Sequence, residues 1–308
     1  MRPALSVIFF TVSSGAGLGL LFWMVLLDTM TIGGGVPANA MLPMLALGMS
    51  LTSAGLLSST LHLANPKNAW RAFSQFRTSW LSREGVLALA LYPVALLYAV
   101  LLSGGASVAR SAVGFLLALL ALAVLFCTGM IYACLKTIPR WHTRLVPAAY
   151  VLLGIYSGAL LTLPFISYHG ASVQGQSMIV MMLLLLGLSI KLIYYFRFKT
   201  PDVQHTINDA IPLGKKSIKL LDVGHTHGTF LTDEFCFTLA RGHARLLRGI
   251  ALGFGFALPL LALGAGSAGT VTLACAGFAC LLGLLAERWL FFAEAQHVVR
   301  LYHGARRV

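Results

Sequence analysis

An all-α integral membrane protein, a bundle of eight transmembrane helices with a cytoplasmic insertion between spans six and seven, is expected from this 308-residue sequence on three grounds. Composition is the first: 58% of the residues are hydrophobic and 10% charged, at a mean hydropathy of +0.85, too few polar side chains to cover a water-soluble fold. The second is the length of the apolar runs. A bilayer core about 30 Å thick takes roughly 20 apolar residues per helical crossing, and runs of that size recur with short polar breaks. Third, backbone in lipid must pair internally, which excludes open sheets.

The first span, 4–27, lacks a small-residue cleavage motif after its apolar run and is expected to be retained, not removed as a signal peptide. The Gly-rich connection Thr31-Ile32-Gly33-Gly34-Gly35 leads to span two at 41–62. Spans three and four are placed at 84–103 and 111–135, five and six at 146–167 and 176–197, and seven and eight at 247–266 and 270–292. Connections after odd-numbered spans are short and rich in Gly and Ser, whereas those after even-numbered spans carry the charge.

Lys67, Arg71, Arg77 and Arg83 follow span two, and Lys136, Arg140 and Arg144 follow span four. Eight more bases run from Arg197 to Arg248; Arg300, Arg306 and Arg307 lie in the C-terminal tail, and Arg2 is at the start. Nineteen of the 22 Lys and Arg therefore fall on one side of the membrane, with Arg110 on the other. Positive loops stay in the cytoplasm, so both termini and the loops after even-numbered spans are expected there. The net charge of +13 thus reads as topology and not as a nucleic-acid surface.

The whole chain, 1–308, reads as a single membrane-anchor domain with 198–245 inserted as a cytoplasmic lobe. That segment holds Asp202, Asp209, Lys215, Lys216, Lys219, Asp233 and Glu234 and no apolar span. Connections of this length are often functional, so it is expected to meet a partner, with a solvated loop as the alternative. No internal repeat is strong enough to assert.

The densest polar cluster runs from Leu61-His62 through Asn65, Pro66, Lys67, Trp70 and Arg71 to Trp80, Ser82, Arg83 and Glu84. His62 closes span two and Glu84 opens span three, so a short loop is expected to bring both to one depth at the cytoplasmic boundary. Ionisable groups there are costly unless paired or used. A quinone needs a hydrogen-bonding group at its carbonyls, a proton route and an apolar slot. His62 can donate and shuttle protons near neutral pH, Glu84 can supply a proton, and Trp70 and Trp80 could line the slot. The bland alternative is an interfacial ion pair of Glu84 with Arg83 and Arg71, a capping His62 and an ordinary aromatic belt.

A second cluster, Tyr132 with Lys136, Thr137, Ile138, Pro139, Arg140, Trp141 and His142, suits lipid headgroups as well as a protein partner. Glu287 and Arg288, then Glu294 and His297, are secondary candidates; adjacent helix positions do not face each other, so each is expected to find a partner on a neighbouring helix. Haem near the cytoplasmic face on His62, His142, His243 or His297 stays open as a minor alternative. His225-Thr226-His227 reads as loop, not as a metal pair. Cys127, Cys134, Cys236, Cys275 and Cys280 form no CxxC spacing and read as packing residues, so no metal site is expected.

These residues resemble the membrane anchor subunit of the DMSO reductase type. The resemblance runs through Phe10-Thr11-Val12 before Gly15 to Gly19, His62-Leu63 with Pro66, Arg71-Ala72-Phe73, Ser82 and Glu84, and Ile131-Tyr132 through Thr137-Ile138-Pro139-Arg140-Trp141. It implies an eight-helix anchor holding a molybdopterin catalytic subunit and a four-cluster iron–sulfur subunit to a bacterial inner membrane. Quinone chemistry, with ubiquinone or menaquinone, is implied at His62 and Glu84; Trp70, Arg71, Trp80, Ser82, Arg83 and Tyr132 would support it, and Lys136, Arg140, Trp141 and His243 would dock the partners. Anchors of this kind generally function without haem b, which weighs against the haem reading.

One departure matters. In the familiar members the loop with this histidine faces the periplasm, whereas here its bases place it in the cytoplasm. Together with the 198–245 segment, ending Ala240-Arg241-Gly242-His243-Ala244-Arg245, this is similar to the subgroup that anchors a cytoplasmic sulfite dehydrogenase. Sulfite oxidation in the molybdenum subunit and quinone reduction at this chain are the implied reaction. The rivals are a secondary transporter, disfavoured because Asp28, Lys191 and Glu287 lie towards span ends, and a purely structural anchor.

Overall fold

The computed structural model describes residues 4–30, 36, 38–61, 65–104, 107–198, 206–210, 218, 243–266 and 268–303. The fold is all-α, with eight helices long and apolar enough to cross a membrane among these residues. They are α1 (Leu5–Met30), α2 (Ala38–Thr60), α3 (Trp80–Leu102), α4 (Val108–Ala133), α5 (Leu145–Tyr168), α6 (Gln174–Arg197), α7 (Ala244–Gly264) and α8 (Thr270–Ala293). Of the expected 198–245 insertion, the greater part lies outside the described residues, as do His225 and His227.

Each span lies where the apolar runs place it, but α3 starts earlier than expected, and the cause is local. Ser79 is extended and its hydroxyl accepts the backbone N–H of Ser82 at 3.4 Å, a capping bond that starts the helix at Trp80. Glu84 therefore does not open the span; it lies one turn inside it. Ahead of α3, Pro66–Gln75 forms a 3-10 helix. Its Phe73 ring lies over Gly85, where an added Cβ would come within 2.8 Å of the ring.

Helices α1 and α5 run through the middle of the bundle. Between lipid tails no hydrophobic force draws helices together, so close backbone approach through small residues does the work. At the α1–α5 crossing a Cβ on Gly158 would overlap the Leu20 backbone nitrogen, and one on Gly19 would meet the Gly154 carbonyl. Helix α7 contains one π-helical turn, Gly253–Ala257. The Tyr156 hydroxyl of α5 donates to the Gly255 carbonyl in that turn at 2.9 Å. The residue four on from Gly255 is Pro259, which has no N–H to give that carbonyl, and Tyr156 supplies the donor instead.

Opposite ends of the bundle are locked differently. At the end holding Asp28 and Arg110, the Arg110 guanidinium grips both Asp28 oxygens, and the Tyr98 hydroxyl donates to Oδ2 at 2.6 Å. This ties α1, α3 and α4 together. The other end carries the N-termini of α1, α3 and α5, the C-termini of α4, α6 and α8, and the candidate site.

Candidate functional site

Glu84 projects inward from α3 and is 4% exposed. Its Oε1 accepts the Thr128 hydroxyl of α4, which also lies 2.9 Å from the Val124 carbonyl. One hydroxyl hydrogen cannot serve both acceptors at once. When Thr128 turns to Val124, a protonated Glu84 can donate to Thr128 instead, so the contact accommodates either state of the acid. No ion pair joins Glu84 to Arg83 or Arg71 among the described residues. Arg83 turns away, donating to the Phe76 and Arg77 carbonyls at 3.0 and 2.6 Å and lying 4.3 Å from the Trp80 ring centre.

The other sequence-derived candidates divide sharply. His62 lies outside the described residues, between an exposed Leu61 and an exposed Asn65. Trp70 and Arg71 are exposed on the 3-10 helix with the guanidinium 5.8 Å from the indole, and half-buried Trp80 meets Phe126 edge-on at 5.8 Å. Ser82 is fully buried and its hydroxyl has no hydrogen-bond partner.

Tyr132 is brought instead to a buried aromatic cluster, stacked on Tyr150 at 5.5 Å and edge-on to Trp141 at 5.2 Å. Phe291 stacks on Trp141 at 5.3 Å, and the Trp141 indole N–H donates to the Phe291 carbonyl at 3.1 Å. Tyr132 and Tyr150 both lie within electrostatic reach of Glu84. Trp141 therefore offers no outer surface of this chain for docking, because the α4–α5 turn tucks it and Ile138 under the bundle end. Lys136 and His243 are exposed. Arg140 is half-buried and bonds Glu294 at 3.1 Å.

Of the haem candidates, His142 is engaged through Nδ1 with the Ala133 carbonyl at 2.7 Å, and His297 Nδ1 accepts the Val299 N–H at 3.0 Å. Partial burial holds the His297 imidazole below its usual pKa. Among the described residues no group of three or more His, Cys, Asp or Glu is arranged to hold a metal.

Three buried charges extend the site beyond the primary candidates. Lys191 on α6 contacts Glu287 on α8, and Glu287 also contacts Arg288 at 3.2 Å. The sequence predicts a partner on another helix for both Glu287 and Arg288. Glu287 finds one in Lys191, and the Arg288 guanidinium lies 3.7 Å from the Tyr150 ring centre on α5. The adjacent residues nevertheless touch, because one carboxylate has two oxygens to share and both neighbours need the same anion. The sequence carries part of the signal, a charge near the end of each of two apolar spans where unpaired charge is costly, and the structure places each six residues before the end of its helix. Further out, Glu294 bridges Arg140 and Arg248, the latter at 2.5 Å.

Between α2 and α3 an apolar groove of about 450 Å³ opens, lined by Leu42, Leu45, Met49, Tyr92, Pro93 and Leu96. It begins two turns from Glu84 along α3, about 12 Å at 1.5 Å per residue.

The profile of the family described as DMSO reductase anchor subunit (DmsC) matches residues 1–293. Among curated proteins, a sulfite dehydrogenase subunit of Allochromatium vinosum is 34% identical over 324 aligned residues, covering 98% of this chain and 99% of that protein.

Proposed function

Since this chain belongs to the DMSO reductase anchor subunit family, we propose that it is the quinone-reactive anchor of a sulfite-oxidising molybdenum complex. In this reading a molybdopterin subunit oxidises sulfite to sulfate, a four-cluster iron–sulfur subunit relays the electrons to the membrane, and this chain passes them to quinone. The relative's name supports the choice of sulfite, and the basic loops support placing both partner subunits on the cytoplasmic side.

The observation that carries the quinone assignment is the burial of Glu84, an acid inside the bundle end, bonded to the Thr128 hydroxyl rather than paired with a nearby arginine. An acid so placed, without a cation holding it ionised, can take and release a proton. Quinone reduction requires two electrons and two protons. Glu84 would supply a proton to one ring oxygen, His62 would hydrogen-bond the other, and the α2–α3 groove would receive the isoprenoid tail. Trp70, Trp80, Arg71 and Arg83 would cover the head group from the membrane boundary, while Lys136, Arg140 and His243 would face the iron–sulfur subunit.

Membranes containing the whole complex test the reading. His62→Ala or Glu84→Gln should leave sulfite oxidation with a soluble dye intact and lower quinone-linked turnover roughly 10²- to 10⁴-fold, the usual worth of a positioned proton donor. Parallel loss of both activities would make these residues assembly elements, and normal quinone turnover would leave a tether without a redox role. A reporter fused after Val308 should be active only in its cytoplasmic form.

A further inference from the structure

We infer that the buried ion cluster of α6 and α8 is a proton entry route, linking the aqueous boundary at Glu294 to Glu84 through two one-water cavities on either side of Arg288. The inference rests on the quinone reading above and adds the path by which the acid is reloaded.

Arg288 and Tyr150 form a partition. On one side lies a cavity of about 10 Å³ bounded by Thr11, Ser14, Thr128, Tyr150, Ser157 and Arg288. On the other is a second cavity of about 10 Å³, bounded by Tyr150, Lys191, Tyr194 and Arg288 with apolar walls from α5. A buried water needs about 10–15 Å³ of free space and two to four polar partners, and both cavities are at that size with such partners in their walls. Thr128, which bonds Glu84, lines the first; Lys191, which contacts Glu287, lines the second.

Outward from Lys191 the polar chain continues. Its ammonium lies 4.6 Å from the Tyr194 ring centre and 5.1 Å from that of Tyr195; Arg248 covers Tyr195 at 5.4 Å and bonds Glu294. The Tyr194 hydroxyl donates to the Arg140 carbonyl at 3.1 Å. Every helix packed around the partition contributes: α1 gives Thr11 and Ser14, α4 Thr128 and Tyr132, α5 Tyr150 and Ser157, α6 Lys191, Tyr194 and Tyr195, and α8 Glu287 and Arg288. A structural ion pair would need neither the two cavities nor the Thr128 link from the first of them to Glu84.

In operation, a proton passes from the boundary to Lys191, then by water past Arg288 and Tyr150, then through Thr128 to Glu84. Arg288 keeps its own proton and fixes the waters. Each electron delivered by the iron–sulfur partner is matched by one proton, and two of each complete one quinone.

The test uses the complete complex in membranes. Lys191→Met removes the titratable nitrogen but leaves Glu287 and Arg288 as a balanced pair, and Ser157→Val fills the first cavity without touching any charge. Both should slow quinone-linked turnover roughly 10- to 100-fold and raise its solvent deuterium isotope effect, with dye-linked sulfite oxidation unchanged. Lys191→Arg keeps the charge but holds its proton throughout the accessible range, so it should stay slow; full rescue by arginine would reduce Lys191 to a structural role and overturn the route. Normal turnover in Lys191→Met and Ser157→Val, with Glu84→Gln inactive, would overturn it while leaving the quinone site standing. Normal turnover in Glu84→Gln would remove the site on which the route depends.

Discussion

Removing Glu287 should cost far more stability than removing Lys191, although each is half of the same contact. Glu287 is the anion shared by two buried cations, with Arg288 at 3.2 Å and Lys191 in direct contact. At an effective dielectric near 20 the Arg288 interaction alone is worth about 5 kcal/mol before desolvation is counted. Glu287→Gln strands Lys191 and Arg288 side by side, and breaking a buried pair in this way costs about 3–5 kcal/mol. Lys191→Met instead leaves Glu287 paired with Arg288 and removes the burial cost of one cation, so the net change should stay within about 1–2 kcal/mol. Equilibrium unfolding in mixed micelles, followed by the fluorescence of buried Trp141, reads both values. A Lys191→Met variant less stable than Glu287→Gln would refute the argument, because it would mean that the carboxylate is not the shared element.

Gly158→Ala should destabilise the bundle by at least about 1–3 kcal/mol, since its Cβ would overlap the Leu20 backbone nitrogen and only backbone separation can relieve that. Gly249→Ala, where a Cβ meets nothing within 4 Å, is the matched control and should be neutral or slightly stabilising by the same unfolding assay. The third expectation concerns pH: burial lowers the His297 pKa from 6.5, so its contribution to stability is present above that value and is lost as pH falls through the lower folded value. Docking of the C-terminal segment, which bonds Thr137 through the Val298 N–H at 3.0 Å, should therefore loosen in acid. Limited proteolysis of the tail checks this, and His297→Gln should flatten the dependence.

The spans are readable because a bilayer imposes a length and a polarity that any 20-residue window carries. The depth of Glu84 is not, since one capping bond from Ser79 moves the helix start by a turn and takes the acid from the boundary into the interior. Nor can the sequence place Trp141 beside Tyr132 and Phe291. That proximity depends on how the α4–α5 turn folds under the bundle, whereas the run of aromatic and basic residues suggests an exposed belt. Lys191 and Glu287 are visible as charges near span ends, yet their contact follows from the relative height of α6 and α8, which no single span records.

Charge balance explains why these groups share one end of the bundle. Lys191 and Arg288 are two bases set against the single carboxylate of Glu287, so with all three ionised the cluster keeps a surplus cation in a low-dielectric setting, and with Lys191 neutral it balances. In the proposed route a proton held by Lys191 would be that surplus charge, and its passage towards Glu84 would return the cluster to balance. Electroneutrality of the buried cluster would then favour onward transfer of each proton without any moving part.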